Sequence, residues 1–292
     1  MSLDDLFAPS GLASRQQLLS MMSRKALVEH LRAGAIERVW HGVYAQQPPD
    51  LGMRLAGLEL MTGRRIVACL HTAAQMYGFK TEPDPRIHIL DPGVRVRPNA
   101  ELMVHQRVGA PLRRIGSRLA TAPAWTAVEI ARLLRRPRAL ATLDAALRCG
   151  ACTPDQLDAA IREQKGRRGI VAVRELVSLA DPRSESAMES ETRLVFIDGG
   201  LPQAELQYEI VDHYGKLWRV DFAWEGAKVA AEYDSMQWHA NPQAWKRDRM
   251  KYTRLGECGW TVVPVVVDDV RLVPHSLVAR IAGHLEDTQL AG

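Results

Sequence analysis

The chain has 292 residues, with 47% apolar and 25% charged side chains and a formal net charge of +4. That length suffices for two or three domains, and that balance excludes a chain that is disordered, collagenous or coiled-coil throughout. The longest nearly unbroken apolar run, Trp260 to Val267, is far short of the roughly 20 residues of a membrane span, and MSLDDLFAPSG has no basic, apolar signal segment. Four cysteines without a regular framework fit a reducing compartment, so a cytoplasmic protein with no membrane partner is expected.

Residues 1–48 read as short helices followed by a hairpin. Ser14 is placed to cap RQQLLSMM and Ser23 to cap RKALVEHLRAG, with Gly34 ending the second helix. In that helix Ala26, Leu27, His30 and Leu31 face inward, which leaves Arg24, Lys25 and Arg32 outside. IERVW and VYA, separated by His41-Gly42, predict two short strands. Two helices and a β-wing form the plan of a winged helix-turn-helix, whose second helix can enter a major groove.

Residues 49–180 carry 21 Lys and Arg against 12 Asp and Glu, a net of +9, whereas 1–48 have +1 and 181–292 have −6. A basic middle suits a phosphate backbone. There RIVACLHTAAQMYGF reads as helix, and RIHILD and ELMVHQRV read as strands. From Ala124 the pattern is helical through TAVEIARLLRRPRALATLDAALRCG, TPDQLDAAIREQ and VAVRELVSLA. Cys149 and Cys152 have no second pair at zinc-site spacing and are read as a helix-to-helix junction. DPRSES marks a domain boundary.

The last segment predicts helix, three strands, helix, strand, helix: a mixed α/β sandwich. SAMESETRLVFIDGG is the first helix, LQYEIV, LWRVDFAW and KVAAEYDSM the strands, and AWKRDRMKYTRLGECG the next helix. WTVVPVVV reads as a buried strand and SLVARIAGHLED as the closing helix. A two-residue loop at Gly226-Ala227 pairs Glu225 with Lys228 and sets Asp221 opposite Glu232. Alternation then puts Asp221, Glu232 and Asp234 on one face and Trp218, Val220, Phe222 and Trp224 on the other. Opposed carboxylates about 5 Å apart repel each other. A divalent cation with oxygen ligands reverses that sign, and Arg219, counted opposite Asp234, is the alternative neutraliser.

Two resemblances follow from these residues. QQLLSMMSRKALVEHLRAGAIERVWHGVYA (16–45) resembles the winged helix of AbiE-type antitoxins, and the likeness extends loosely through the middle segment. Ser186 to Val270 resembles the very-short-patch-repair (Vsr) endonucleases of the PD-(D/E)XK superfamily. The matching pieces are SAMESETR, GLPQAELQ, VDFAW-x4-VAAEYD, His239 and D-x6-L-x3-GW at 248–260.

The fold expected is therefore an α/β multi-domain chain. It has a winged helix-turn-helix at 1–48, a basic middle domain of strands then helices at 49–180, and a restriction-endonuclease-like sandwich at 181–292. The second resemblance implies that Asp221, Glu232 and the Tyr233 carbonyl ligate Mg²⁺ or Mn²⁺, with Glu189 supporting the site. It also implies that His239 positions or deprotonates the attacking water, and it makes Asp234 a further catalytic candidate. Asp248 and Arg193 match further polar positions, Arg193 on the phosphate side. Three departures stand out: Asp234 where the superfamily has Lys, Ser235 where the branch has Gly, and Lys251 where Arg is common.

Arg24, Lys25, Arg32, Arg193, Lys246 and Arg247 are the candidate nucleic-acid contacts, and Trp238 and Trp245 could stack on an extruded base. The expected function is a metal-dependent DNA endonuclease of repair or defence, with RNA as a second candidate substrate. A double-strand cutter with one site per chain needs a homodimer. The alternative is a DNA-binding regulator or antitoxin-like protein whose nuclease fold is inactive.

Overall fold

The computed structural model describes residues 6–7, 10–106, 109–234 and 242–290. His239, expected to position water, lies outside the described residues, as do Ser235, Trp238 and the side chain of Trp245. The protein is mixed α/β, with three sheets among the described residues. It divides into two compact units, Met1–Ala73 with Asp84–Ala122, and Ala74–Pro83 with Pro123–Gly292. The divisions at 48/49 and 180/181, drawn from composition and motifs, are proposals beside these units.

The first unit opens with β1 (Leu12–Ser14), α1 (Arg15–Met21), α2 (Arg24–Arg32), β2 (Glu37–Trp40) and β3 (Val43–Ala45). Ser14 caps α1 in a capping box with Gln17, and Ser23 caps α2 by accepting from Ala26 N–H at 3.2 Å. Leu27 of α2 is buried with Leu18, Ile36 and Tyr44. Strand β1 was not foreseen: three residues carry no period, and its order β1-β3-β2 depends on a partner some thirty residues away in the chain (Leu12 opposite Ala45).

After α3 (Leu51–Thr62) come β4 (Val67–Ala68), α4 (Leu70–Tyr77), β5 (Ile87–Leu90), β6 (Leu102–His105), β7 (Leu112–Ile115) and β8 (Arg118–Thr121). Strands β4 to β8 make one sheet in the order β6-β5-β4-β8-β7. The helix expected over RIVACLHTAAQMYGF is corrected at its start. Val67 and Ala68 are a strand held between β5 and β8, and the helix begins only at Leu70.

The second unit contains α5 (Pro123–Ala131), α6 (Arg136–Arg148), α7 (Pro154–Glu163) and α8 (Ile170–Val177). There follow α9 (Ala187–Asp198), β9 (Glu205–Val211), β10 (Leu217–Trp224), β11 (Val229–Tyr233) and α10 (Pro242–Glu257). The chain closes with β12 (Thr261–Val265), α11 (Val267–Arg271) and α12 (Pro274–Leu290). The sheet order is β12-β11-β10-β9, antiparallel except for the β11/β12 pair. The β10/β11 register is the expected one: Trp224 opposes Val229, Phe222 opposes Ala231, and Lys228 N–H closes the turn on the Glu225 carbonyl at 2.9 Å.

One expectation about this hairpin is corrected. Trp218 and Val220 pack on one face with Leu255 and Trp260, whereas Phe222 and Trp224 pack on the other with Phe196, Leu277 and Ile281. The β9/β10 ladder runs Val220–Tyr208 and then Phe222–Leu206, skipping Asp221 and Gln207, and Gln207 sits at φ +54°. A left-handed residue breaks the two-residue alternation, so the apolar stripe changes face at Asp221. Helices therefore cover both faces of this sheet. Each fully buried side chain of Phe222's size contributes roughly 1.5–3 kcal/mol.

Candidate functional site

Three carboxylates are brought together by α9, β10 and β11. Ser186 caps α9, accepting from Glu189 N–H at 3.1 Å, which fixes the first turn. Glu189 Oε2 accepts from Glu185 N–H at 2.7 Å and Gln207 Nε2 at 2.9 Å. The left-handed kink at Gln207 thus sits where its amide meets Glu189. Asp221 lies at the point where β10 changes face, and its Oδ2 accepts from Tyr233 N–H at 2.8 Å. Glu232 Oε1 is paired with the Lys251 ammonium from α10, while its Oε2 is buried with no hydrogen-bond partner among the described residues.

Burial raises the proton affinity of all three groups, and the Asp221 charge adds to it at both glutamates. Burial, then the Asp221 charge, pushes the Glu189 carboxyl up to about 6. Burial raises Asp221 against the Tyr233 N–H and Lys251. Burial also raises Glu232 against Lys251, with Asp221 and Asp248 adding to the rise. The Tyr252 phenol is raised by burial and by Glu232, Asp234, Asp248 and Asp221. The donors are carboxylate oxygens, the class that hard cations such as Mg²⁺ and Mn²⁺ prefer, and the partnerless Glu232 oxygen fits such an ion. Among the described residues no three side chains already converge as a metal cage.

The other expected residues are placed as follows. Asp234 is half-buried beyond β11, its N–H donating to Val265 O at 2.8 Å, and Asp248 is exposed on α10. Tyr233 sits in the parallel ladder opposite Val265. Arg24, Lys25 and Arg32 are exposed on α2, and Lys246 and Arg247 on α10. Arg219, the alternative neutraliser, pairs with Glu185 at 2.8 Å, and its charge also draws the Asp221 carboxyl down. Arg193 is corrected as a nucleic-acid contact. It is buried, donates to Asp144 Oδ2 at 2.7 Å and to Ser184 Oγ at 3.2 Å, and binds the Leu179 carbonyl, so its donors are used inside the fold.

Two features went unread in the sequence. Lys251, noted only as a departure from Arg, is the cation of the site. The signal was its position four residues before Leu255, which puts it on the same helix face as a fully buried side chain. The second is a histidine chain in the first unit. His88 Nε2 lies 3.1 Å from Asp84 Oδ2, and its Nδ1 lies 3.0 Å from His105 Nε2. His71 meets the His88 ring edge-on at 5.3 Å. Burial lowers His88, aided by His71 and opposed by Asp84. Three single histidines spread over three elements give no local signal.

The cysteines behave as a junction. Cys149 and Cys152 flank the break between α6 and α7, both are free thiols, and burial pushes Cys152 up to about 12, where it stays protonated. Among the described residues no helix is long and apolar enough to cross a membrane.

Comparison with known proteins adds the family. Residues 66–179 match the AbiEi antitoxin C-terminal domain. Over 271 residues the chain is 60% identical to two proteins of Mycobacterium tuberculosis. These are uncharacterized protein MT2308 of strain CDC 1551 / Oshkosh and uncharacterized protein Rv2248 of strain ATCC 25618 / H37Rv. The alignments cover 93% of this chain and 100% of each relative. The AbiE-type resemblance is therefore supported across the middle of the chain. The protein belongs to the family of these two mycobacterial proteins, with an AbiEi antitoxin C-terminal domain match at 66–179.

Proposed function

We propose that this protein is a DNA-binding regulator of the antitoxin kind. The observation that carries the reading is the AbiEi antitoxin C-terminal domain match at 66–179. In support, α1, α2 and the β2–β3 hairpin follow the order of a winged helix-turn-helix, and α2 presents Arg24, Lys25 and Arg32 to solvent while Leu27 anchors it. The test is binding of the full-length protein to a duplex from its own upstream region, followed by fluorescence anisotropy. An R24Q/K25Q/R32Q variant should lose most of the affinity, and retention of wild-type binding by that variant would remove α2 from the reading.

A second activity has its own observation. The partnerless buried Glu232 oxygen beside Asp221 and Glu189 supports hydrolysis of a DNA phosphodiester in the C-terminal domain. Mg²⁺ or Mn²⁺ bound there would lower the pKa of a water and neutralise charge on the phosphate. Asp221 and Glu232 would hold the ion, and Glu189 would stay anchored by Gln207 and the Glu185 N–H. Lys251 would turn its ammonium from Glu232 toward developing negative charge. Plasmid and single-stranded DNA incubated with Mg²⁺, Mn²⁺ or EDTA decide the matter against a Glu232→Ala variant. Metal-dependent cutting lost in the variant supports hydrolysis, and duplex binding without cutting leaves the regulator alone.

A further inference from the structure

Among the described residues β7 ends the five-stranded sheet: β8 lies on one side of it, held in turn by β4 at Leu119 and Ala120. Around the turn at Gly116-Ser117 the ladder pairs Ile115 with Arg118, Arg114 with Leu119, Arg113 with Ala120 and Leu112 with Thr121. Pairs in an antiparallel ladder alternate between hydrogen-bonded and open. The next pair out fixes the phase, because the Pro111 carbonyl accepts from Ala122 N–H at 2.7 Å. Arg113 and Ile115 therefore turn their backbone groups toward β8, whereas Leu112 and Arg114 turn theirs away. The same phase turns Leu119 toward β4, as the β4/β8 ladder requires. The N–H and C=O groups of Leu112 and Arg114 are left on the open edge, without a partner among the described residues.

The side chains along this edge are open as well. Leu112, Arg113 and Arg114 are exposed in succession, Leu112 at 49%. Residues 112–121 read LRRIGSRLAT, with three arginines and no acidic side chain. Arg118, on β8, is held by the Gly52 carbonyl at 2.6 Å and by Glu59 at 3.5 Å. Arg113 and Arg114 have no ion pair or hydrogen bond among the described residues. Successive strand side chains point to opposite faces, so one guanidinium stands on each side of the edge. An open edge is a template for another strand, and its charge decides which strand can pair. A second copy of β7 would set arginine against arginine, and like charges on opposed strands repel. A strand with carboxylates at two successive positions meets both guanidiniums, and an aliphatic residue beside them covers Leu112.

We infer that the open edge of β7 is a docking site for an extended acidic segment of a partner protein, which pairs with β7 as a further strand of the sheet. Main-chain bonds to Leu112 and Arg114 hold the segment, and Arg113 and Arg114 select its charge. In the antiparallel sense its core reads aliphatic, acidic, acidic, aliphatic, with the acidic pair opposite Arg114 and Arg113. This interaction goes beyond DNA binding and does not depend on it.

Full-length protein is titrated against a fluorescein-labelled peptide, Thr-Val-Glu-Glu-Val-Thr, and binding is followed by anisotropy. The comparison peptides are Thr-Val-Lys-Lys-Val-Thr and the acidic peptide N-methylated at its first Glu and second Val, whose N–H groups face β7. Wild type should bind the acidic peptide. Affinity should fall by roughly tenfold or more for the lysine peptide, for the N-methylated peptide and in R113E/R114E. R113K/R114K should keep the binding, and thermal melts of the variants should match wild type. No binding of the acidic peptide by wild type at about 1 mM overturns the docking site. Equal binding of the N-methylated peptide also overturns it, because charge attraction without strand addition would then explain the result. Duplex DNA binding that falls in R113E/R114E while the peptide stays unbound would assign the two arginines to phosphate instead.

Discussion

Glu191 and Glu189 lie two residues apart on α9, both are buried, and they are treated differently by the fold. Glu191 receives a bidentate grip from Arg271 at 2.9 Å and a further contact from Arg138 at 3.0 Å. Arg193, one turn beyond Glu189, gives Asp144 of α6 a single bond at 2.7 Å. Glu189 is held by the Gln207 amide, the Glu185 N–H and the Ser186 hydroxyl, with no arginine pair among the described residues, and faces the charge of Asp221. The helical period turns positions 189 and 191 about 200° apart, so one helix serves two purposes. Carboxylates that lock helices together are neutralised by arginine. Those on the other side have less positive charge beside them among the described residues: Lys251 pairs with Glu232, and the charges of Lys251 and Arg219 reach Asp221.

The largest test of this contrast is Arg193→Met. It leaves Asp144 buried without its cation and should cost about 3–5 kcal/mol in urea unfolding, because a lone buried charge is far worse than none. A loss under 1 kcal/mol would mean that the pair is not structural. Next, Gly199→Ala should cost about 1–3 kcal/mol, since a Cβ there would stand 2.4 Å from Val278 Cγ2 and push α9 from α12. That variant disturbs both sides of α9 equally and is the control for a general weakening.

Glu189→Gln should act in the opposite direction. Its folded carboxyl titrates near 6 rather than at the usual 4.5, so the native state holds the proton more tightly than the unfolded chain. The associated stability is present below pH 4.5 and is lost as pH rises through 6. At pH 8 the glutamine should therefore be the more stable protein, by up to about 2 kcal/mol, with a flatter pH profile. Addition of Mg²⁺ at pH 8 should raise the Tm of wild type but not of Glu232→Ala, and an equal rise in both would take Glu232 out of any metal site.

The smallest effect belongs to the first unit. The arginine pairs do not titrate near neutrality, whereas burial holds His88 below its ordinary value. Its folded pKa is depressed by burial, so stability is present above 6.5 and is lost as pH falls below that value toward the folded pKa. His88→Gln should flatten this acid limb while leaving the alkaline one to Glu189. An unaltered acid limb would take His88 out of the acid sensitivity.

Much of this was legible along the chain. Local chemistry set the caps at Ser14 and Ser23, the β10/β11 turn, and the element order of the last segment as far as β12, the short α11 being unforeseen. The ordered motifs chose Glu189 over Glu191, together with Asp221 and Glu232, as the candidate site carboxylates, and the Asp221 charge reaches both glutamates. Strands β1 and β4 were missed because three and two residues carry no period and their partners lie elsewhere in the chain, and β7 and β8 because arginines interrupt their apolar runs.

The sequence by itself determined what depends on near neighbours: helix ends, turn register, and the kind of side chain offered at each site position. Only the tertiary structure decided which charges meet. It sent Arg193 to Asp144 instead of to solvent, Arg219 to Glu185 instead of Asp234, and Lys251 to Glu232. It also turned the apolar stripe over at Asp221, where the kink at Gln207 breaks a two-residue period that sequence reading extends unbroken. Periodicity and capping act over a few residues, whereas ion pairs and strand partners are chosen by packing between segments tens of residues apart.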